Sequence, residues 1–224
     1  MTAERRPRRT RDNLREQLIE SALVEFAAKG FDGASTRSIA ERVDAHQPQI
    51  NYHFASKEAL WDAAVDHLFA QLYATIADGQ LLDELEPGPD LANAFAGVLR
   101  RFVAFAAEHP ELNRIMLHAA TDDNDRLHRM LDLHVRSWYE TTASTWARLR
   151  AAGIAAPVEP IGVYWIIVGA ASLPFVNAAE VRVLTGTEPT DREWVEQHAD
   201  GIVALLLPGL QSSKPPARRR STAR

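Results

Sequence analysis

Apolar residues recur along nearly the whole chain at helical spacing, and nowhere with the strict alternation of a half-buried strand. Leu14, Leu18, Ala22 and Phe26, with Ile19 and Leu23 between them, predict a first helix over 11–29, which Gly30 ends as a glycine cap would. A short helix is expected over 35–43, with Ser35 as N-cap and Ile39, Ala40 and Val43 facing inward. A third is expected over 47–53. A fourth opens at Ser56-Lys57-Glu58 and carries Leu60, Trp61, Ala64, Leu68 and Leu72 on one side. Gly79 to Pro89 reads as a break, with Pro87-Gly88-Pro89 its clearest signal. Helices are then expected over 90–108, 111–120, 125–152, 158–184 and 190–207. Pro110, Thr121–Asp125, Gly153–Pro157 and Thr185–Pro189 separate them. The pattern therefore predicts an all-α protein of about nine helices with no internal repeat.

The informative stretch is Thr36 to Lys57, TRSIAERVDAHQPQINYHFASK. A short helix, a three-residue turn and a second short helix can project that second helix into a major groove. Ile39, Ala40 and Val43 on the first can meet Ile50 and Phe54 on the second, and Asp44 begins the turn, where a left-handed backbone is tolerated. The outer face of the second helix keeps Gln47, Gln49 and Asn51, which can hydrogen-bond base edges, and Tyr52 and His53, which can reach phosphate. No acidic residue lies between Ala45 and Ser56. Pro48 sits in the first turn, where a missing N–H costs nothing. Lys57, at the next helix start, can meet phosphate with its ammonium and with nearby backbone N–H groups.

Charge sharpens this picture. The formal net charge is −5, which alone argues against nucleic acid. Its distribution says otherwise: residues 1–57 carry ten Lys/Arg against eight Asp/Glu, residues 58–211 carry ten against twenty-two, and the tail 212–224 adds five cations. The arginines of the N-terminal arm (Arg5, Arg6, Arg8, Arg9, Arg11) can enter a minor groove or supply non-specific attraction. The absence of cysteine excludes disulfides, thiolate metal sites and cysteine nucleophiles. No paired carboxylates, nucleophile–base set or phosphate loop stands out, so no enzymatic activity is expected. No membrane span and no signal peptide are expected, which reads as a cytoplasmic, nucleoid-associated protein. His118, His128 and His134 are the candidates for a metal cluster. His128 and His134 are six apart and so on different helix faces, no carboxylate is placed to complete a site, and neither a metal nor another cofactor is expected.

At this point the head resembles the DNA-binding domain of the TetR (tetracycline-repressor) family of bacterial regulators. The resemblance rests on Phe26-Ala-Ala-Lys-Gly-Phe31, Ser35-Thr-Arg-Ser-Ile-Ala40, Gln47-Pro-Gln-Ile-Asn-Tyr-His-Phe54 and Ser56-Lys-Glu-Ala-Leu60. It implies base-reading roles for Gln47, Pro48 and Gln49, with Arg37 and Asn51 beside them, and phosphate contacts from Thr36, Tyr52, His53 and Lys57. Asn51 stands where the family often has an aromatic residue. Asp44 replaces the usual turn glycine and His46 the usual Ser or Thr cap, the latter at about 1 kcal/mol.

The resemblance also implies a domain plan: a basic disordered arm (1–10), a helix-turn-helix domain (11–56), a ligand-sensing and dimerisation domain (57–210) and a basic disordered tail (211–224). It implies a repressor released from a palindromic double-stranded operator by a small molecule. The partner surface for a homodimer would be the helices over 158–184 and 190–207, rich in Ile161, Trp165 and Leu205 with small residues such as Gly162 and Gly169 among them. Phe102, Phe105, Met116, His134, Trp138 and Trp165 are the expected lining of an effector pocket suited to a hydrophobic or aromatic ligand, although each fits an ordinary core position equally well.

Overall fold

The computed structural model describes residues 11–77 and 82–212. The arm 1–10, with all its arginines except Arg11, and the basic tail from 213 onward lie outside the described residues. The described part is helical and contains no strand. The chain divides into two compact units. The first runs to Leu72 and resumes at His109–Val135; the second comprises Tyr73–Glu108 and everything from Arg136 onward.

The first unit contains α1 (Arg11–Gly33), α2 (Thr36–Arg42), α3 (Gln47–His53), most of α4 (Lys57–Thr75), α6 (Pro110–Ala119), α7 (Asp125–Met130) and a π-helical turn at Leu131–Val135. Its core is built from Leu18, Phe26, Ile39, Ile50, Leu60 and Leu68, all buried, and α6 packs along α1 with Leu112 and Ile115 inward. Regular helix ends in α1 where expected, because Gly30 takes φ 67° and ψ 178°. Glycine is favoured there by the positive φ, which L side chains rarely adopt, and a Cβ would stand 3.2 Å from the His118 ring. The packing division falls inside α4 rather than at 56–57, because α4 lies on the head with Leu60, Trp61, Ala64, Val65 and Leu68 buried.

The second unit holds α5 (Pro89–Glu108), α8 (Arg136–Ala151), α9 (Pro160–Val176), α10 (Ala178–Thr185), α11 (Arg192–Leu206) and α12 (Pro208–Ser212). The α5 helix packs on α9 and α11, and α8 on α9. Trp146 of α8 is fully buried and donates from Nε1 to the Val158 carbonyl at 2.7 Å, which satisfies the one polar atom of a large core side chain.

Two expected helices are not continuous. The stretch 125–152 passes through the π-helical turn at 131–135. The stretch 158–184 begins at Pro160 and breaks at Asn177, where α9 and α10 meet at a 74° bend. Pro174, inside α9, has no N–H to give to the Ala170 carbonyl, and its ring crowds that carbonyl. Among the described residues no single helix is long and apolar enough to cross a membrane.

Candidate nucleic-acid interface

The helix-turn-helix begins with how α2 is held. Ser35 adopts an extended backbone and accepts from the Ser38 N–H, as an N-cap should. From α1, Glu25 reaches both ends of α2. Its carboxylate is 1% exposed, accepts from the Ser35 N–H at 3.3 Å, and pairs with Arg42 at 3.0 Å and with Lys29 at 2.7 Å. Burial pushes its carboxyl pKa up, but the hydrogen bonds from Lys29, Ser35 and Arg42 together outweigh this and leave it below the usual glutamate value. Ser21 adds a bond from Oγ to the Ile39 carbonyl at 2.9 Å, and Arg42 donates to the Ser21 carbonyl at 3.0 Å.

The turn follows from local chemistry. Asp44 takes φ 51°, the left-handed region in which the sequence places it. The Ala45 N–H then returns to the Ala40 carbonyl at 2.9 Å. Ile39, Ala40, Ile50 and Phe54 are buried where the two helices cross, and Val43 is half-buried.

The outer side of α3 presents Pro48, Gln49, Asn51 and Tyr52 to solvent, with Gln47 and His53 half-buried. These side chains are pre-arranged. The Thr36 hydroxyl and the Gln47 amide bond each other at 3.0 Å, joining the two helices at the expected contact face. Gln49 turns back to accept the His46 backbone N–H at 2.8 Å. His46, an indifferent cap residue, is thus supported by the side chain three residues on, as in a capping box. Tyr52 and His53 pack ring edge to face, with centroids 5.3 Å apart. Arg37 is exposed and paired with Glu41 at 2.8 Å, which favours its charged form.

Lys57 sits in the first turn of α4, whose Ala59 N–H is capped by Ser56 Oγ at 3.1 Å. Its Nζ donates to the Asp32 carbonyl at 3.3 Å and lies 4.8 Å from the centre of the Phe31 ring. The Arg126 guanidinium sits 3.8 Å over the same ring. A small cleft of about 140 Å³ opens here, lined by Lys29, Phe31, Trp61, His118 and Arg126 among others. The sequence reading missed Glu25, which looks like one more polar residue beside the apolar stripe of α1. It also missed Arg15, whose guanidinium lies 5.3 Å from the Phe54 ring at the end of α3. No periodicity marks either.

The six expected effector-lining residues divide between the units. Phe105 is buried and Phe102 and Trp138 half-buried in the second unit, whereas Met116 and His134 belong to the first. His134 is engaged within its own unit: Nε2 meets Asp66 Oδ1 at 2.9 Å, and its ring lies flat on Phe69 at 4.6 Å. Trp165 is 67% exposed, pointing away from the core of its unit. In that unit Tyr139 and Tyr164 meet edge to face, 5.4 Å apart. The Tyr164 phenol is pushed up to about 12 by burial and then by the charge of Tyr73, so it stays neutral and able to donate. Among the described residues no group of His, Asp or Glu is arranged to hold a metal.

The geometry has counterparts. The family profile described as bacterial regulatory proteins, tetR family, matches residues 18–64. The HTH-type transcriptional regulator BetI of Paraburkholderia phymatum is 22% identical over 186 residues, covering 77% of this chain and 90% of that protein. The HTH-type transcriptional repressor NicS of Pseudomonas putida is 29% identical over 127 residues, 51% of this chain and 56% of its own. Among solved structures, AibR in complex with isovaleryl coenzyme A and operator DNA superimposes with a TM-score of 0.68 at 18% identity, over 87% of this chain and 98% of that one.

Proposed function

Because the chain belongs to the TetR family of DNA-binding transcriptional regulators, which are not enzymes, we propose that it works as a homodimeric repressor, released from a palindromic operator when a small hydrophobic or aromatic molecule binds its second unit. The observation that carries the DNA half is the outer face of α3. It is free of acidic residues, polar and pre-arranged by Thr36 of α2, a helix that the buried Glu25 carboxylate holds in place, with Lys57 beside it. Gln47, Gln49 and Asn51 are suited to adenine edges, with Pro48 and Arg37 next to them, while Thr36, Tyr52, His53 and Lys57 are placed for the backbone. The protein would act in the bacterial cytoplasm, on the nucleoid.

The dimer half is supported by apolar surface. Ile161, Trp165, Ile166 and Leu173 form one stripe at helical spacing on α9, each at least 45% exposed, and Leu205 is exposed on α11. A Cβ built at Gly162, Gly169 or Gly201 would meet nothing within 4 Å, so a second copy's helices can approach closely there. A palindromic operator would call for two copies with their reading helices about 34–36 Å apart, one turn of DNA. For the effector, the half-buried phenols Tyr139 and Tyr164 favour an uncharged ring-bearing molecule with a hydrogen-bonding group. AibR, whose solved complex contains isovaleryl coenzyme A, indicates that the fold can house an acyl ligand.

A gel-shift titration against the chain's own upstream region tests the reading directly. The absence of saturable, salt-sensitive binding to any palindromic fragment would overturn it. Within such binding, Lys57→Ala should weaken all sequences alike and lower the salt slope by about one. Gln49→Ala should behave differently. It changes preference at one or two base pairs and, by uncapping His46, also lowers helix stability by about 1 kcal/mol, visible as a small drop in Tm. A uniform affinity loss in Gln49→Ala would remove this residue from base reading.

A further inference from the structure

Within α9, about one turn before the bend at Asn177, Pro174 leaves one carbonyl without its usual helical donor. Residue 174 would ordinarily donate its N–H to the carbonyl of residue 170, and proline has none to give. The Ala170 carbonyl instead lies 2.8 Å from His198 Nε2, reached from α11. A carbonyl can only accept, so Nε2 carries the proton. The imidazole is fixed on its other sides: it stacks on Trp194 with centroids 4.8 Å apart and stands edge-on to Phe175 at 6.2 Å. One side chain from α11 therefore closes the gap that Pro174 opens in α9.

The consequence lies in the exposed apolar surface. The α9 stripe and Leu205 are exposed on helices that pack on one another, and they can serve a common partner surface only while α9 and α11 keep their mutual position. Beyond the bend, α10 carries Val183 and Leu184, 85% and 75% exposed. A two-fold interface must be complementary to itself, so a small change at the joint is counted twice across the axis. We propose that His198 is a positioning residue for the homodimer. Its bond to Ala170 ties α11 to α9 at the turn that Pro174 interrupts and thereby holds these two helices in the arrangement that a second copy of this chain recognises.

This rests on the dimer reading above, and the test separates the two. Sedimentation equilibrium of the full chain gives the starting point: a monomeric wild type overturns the dimer reading itself. Given a dimer, His198→Phe keeps a ring against Trp194 and Phe175 but removes the donor, while His198→Gln keeps a donor of similar reach. His198→Phe is expected to raise the dimer Kd about tenfold or more, in line with a carbonyl left unpaired, and His198→Gln to stay within about threefold of wild type. Far-UV circular dichroism confirms that each is folded. Should His198→Phe fail to fold, Pro174→Ala/His198→Phe restores an N–H for the Ala170 carbonyl and should recover both fold and dimer. Equal Kd values for His198→Phe and wild type, equal weakening by Phe and Gln, or no recovery in the double variant would each overturn the assignment.

Discussion

Replacing Glu25 with alanine should lower the stability of the first unit by about 3 kcal/mol and cut operator affinity in the fraction that stays folded. The magnitude follows from what is left behind. Removing one partner of a buried ion pair costs roughly 3–5 kcal/mol when the other charge stays buried. Here Lys29 and Arg42 are 49% and 41% exposed and can turn to water, which places the cost at the lower end of that range. The Ser35 N–H also loses its acceptor at the start of α2. For a chain of this size about 3 kcal/mol is a fall of roughly 6–12 °C in Tm. The pH dependence has a definite sign. A carboxyl whose folded pKa lies below its unfolded value stabilises the fold above that unfolded value, and the contribution disappears as pH falls through the folded one. The wild type should therefore lose stability steeply below about pH 4.5, where glutamate ordinarily titrates, and Glu25→Ala more gradually. Thermal melts at pH 7 and pH 3.5 provide the check: a Tm difference between the two proteins that is the same at both pH values would show that the carboxylate charge contributes nothing.

Leu205→Glu should have the largest functional effect of any single change on the second unit. Leu205 is 77% exposed in the single chain, so glutamate there leaves the monomer fold intact. In the proposed dimer the substitution places a carboxylate from each copy in an apolar interface, where an unpaired charge costs several kcal/mol. The chain should sediment as a monomer at micromolar concentration, with an unchanged circular dichroism spectrum. Operator affinity should drop by roughly a thousandfold toward its non-specific level, because one short reading helix cannot span a palindrome. A dimeric Leu205→Glu would move the interface elsewhere on the chain.

How much of this was legible in the sequence depends on how local the determinant is. The α2–turn–α3 segment was legible because its caps, its crossing residues and Asp44 all act within about twenty residues of one another. The capping role of Gln49 is local too, yet a glutamine on an exposed face suits a base edge equally well. Glu25 was not legible. Lys29 is a helical neighbour, but the partners on α2 and at its cap arrive from ten and seventeen residues away, and the apolar stripe gives no sign that the position next to Phe26 is buried. The break at Asn177 was masked by the continuous apolar run around it. The effector lining was hardest, because such a surface is composed from separate helices, and the six aromatic, sulfur and imidazole side chains chosen by type divide between two units. Trp165 and His134 show why. One is apolar because it faces outward on the proposed partner surface, and the other is polarised by Asp66 on a neighbouring helix.

The way the chain is shared between the two units bears on how such regulators can be recombined. The chain passes from one unit to the other at Leu72, Glu108 and Val135, so no single cut separates them. A fragment ending at the close of α3, or anywhere in α4, lacks α6, whose Leu112 and Ile115 pack along α1, and lacks the His118 ring that lies against Gly30. A reading head moved onto another family member's body at one junction would face foreign side chains along its first helix. Transplanting specificity should therefore succeed by exchanging the outer residues of α2 and α3 in place. A swap of the whole head requires residues 109–135 to travel with it.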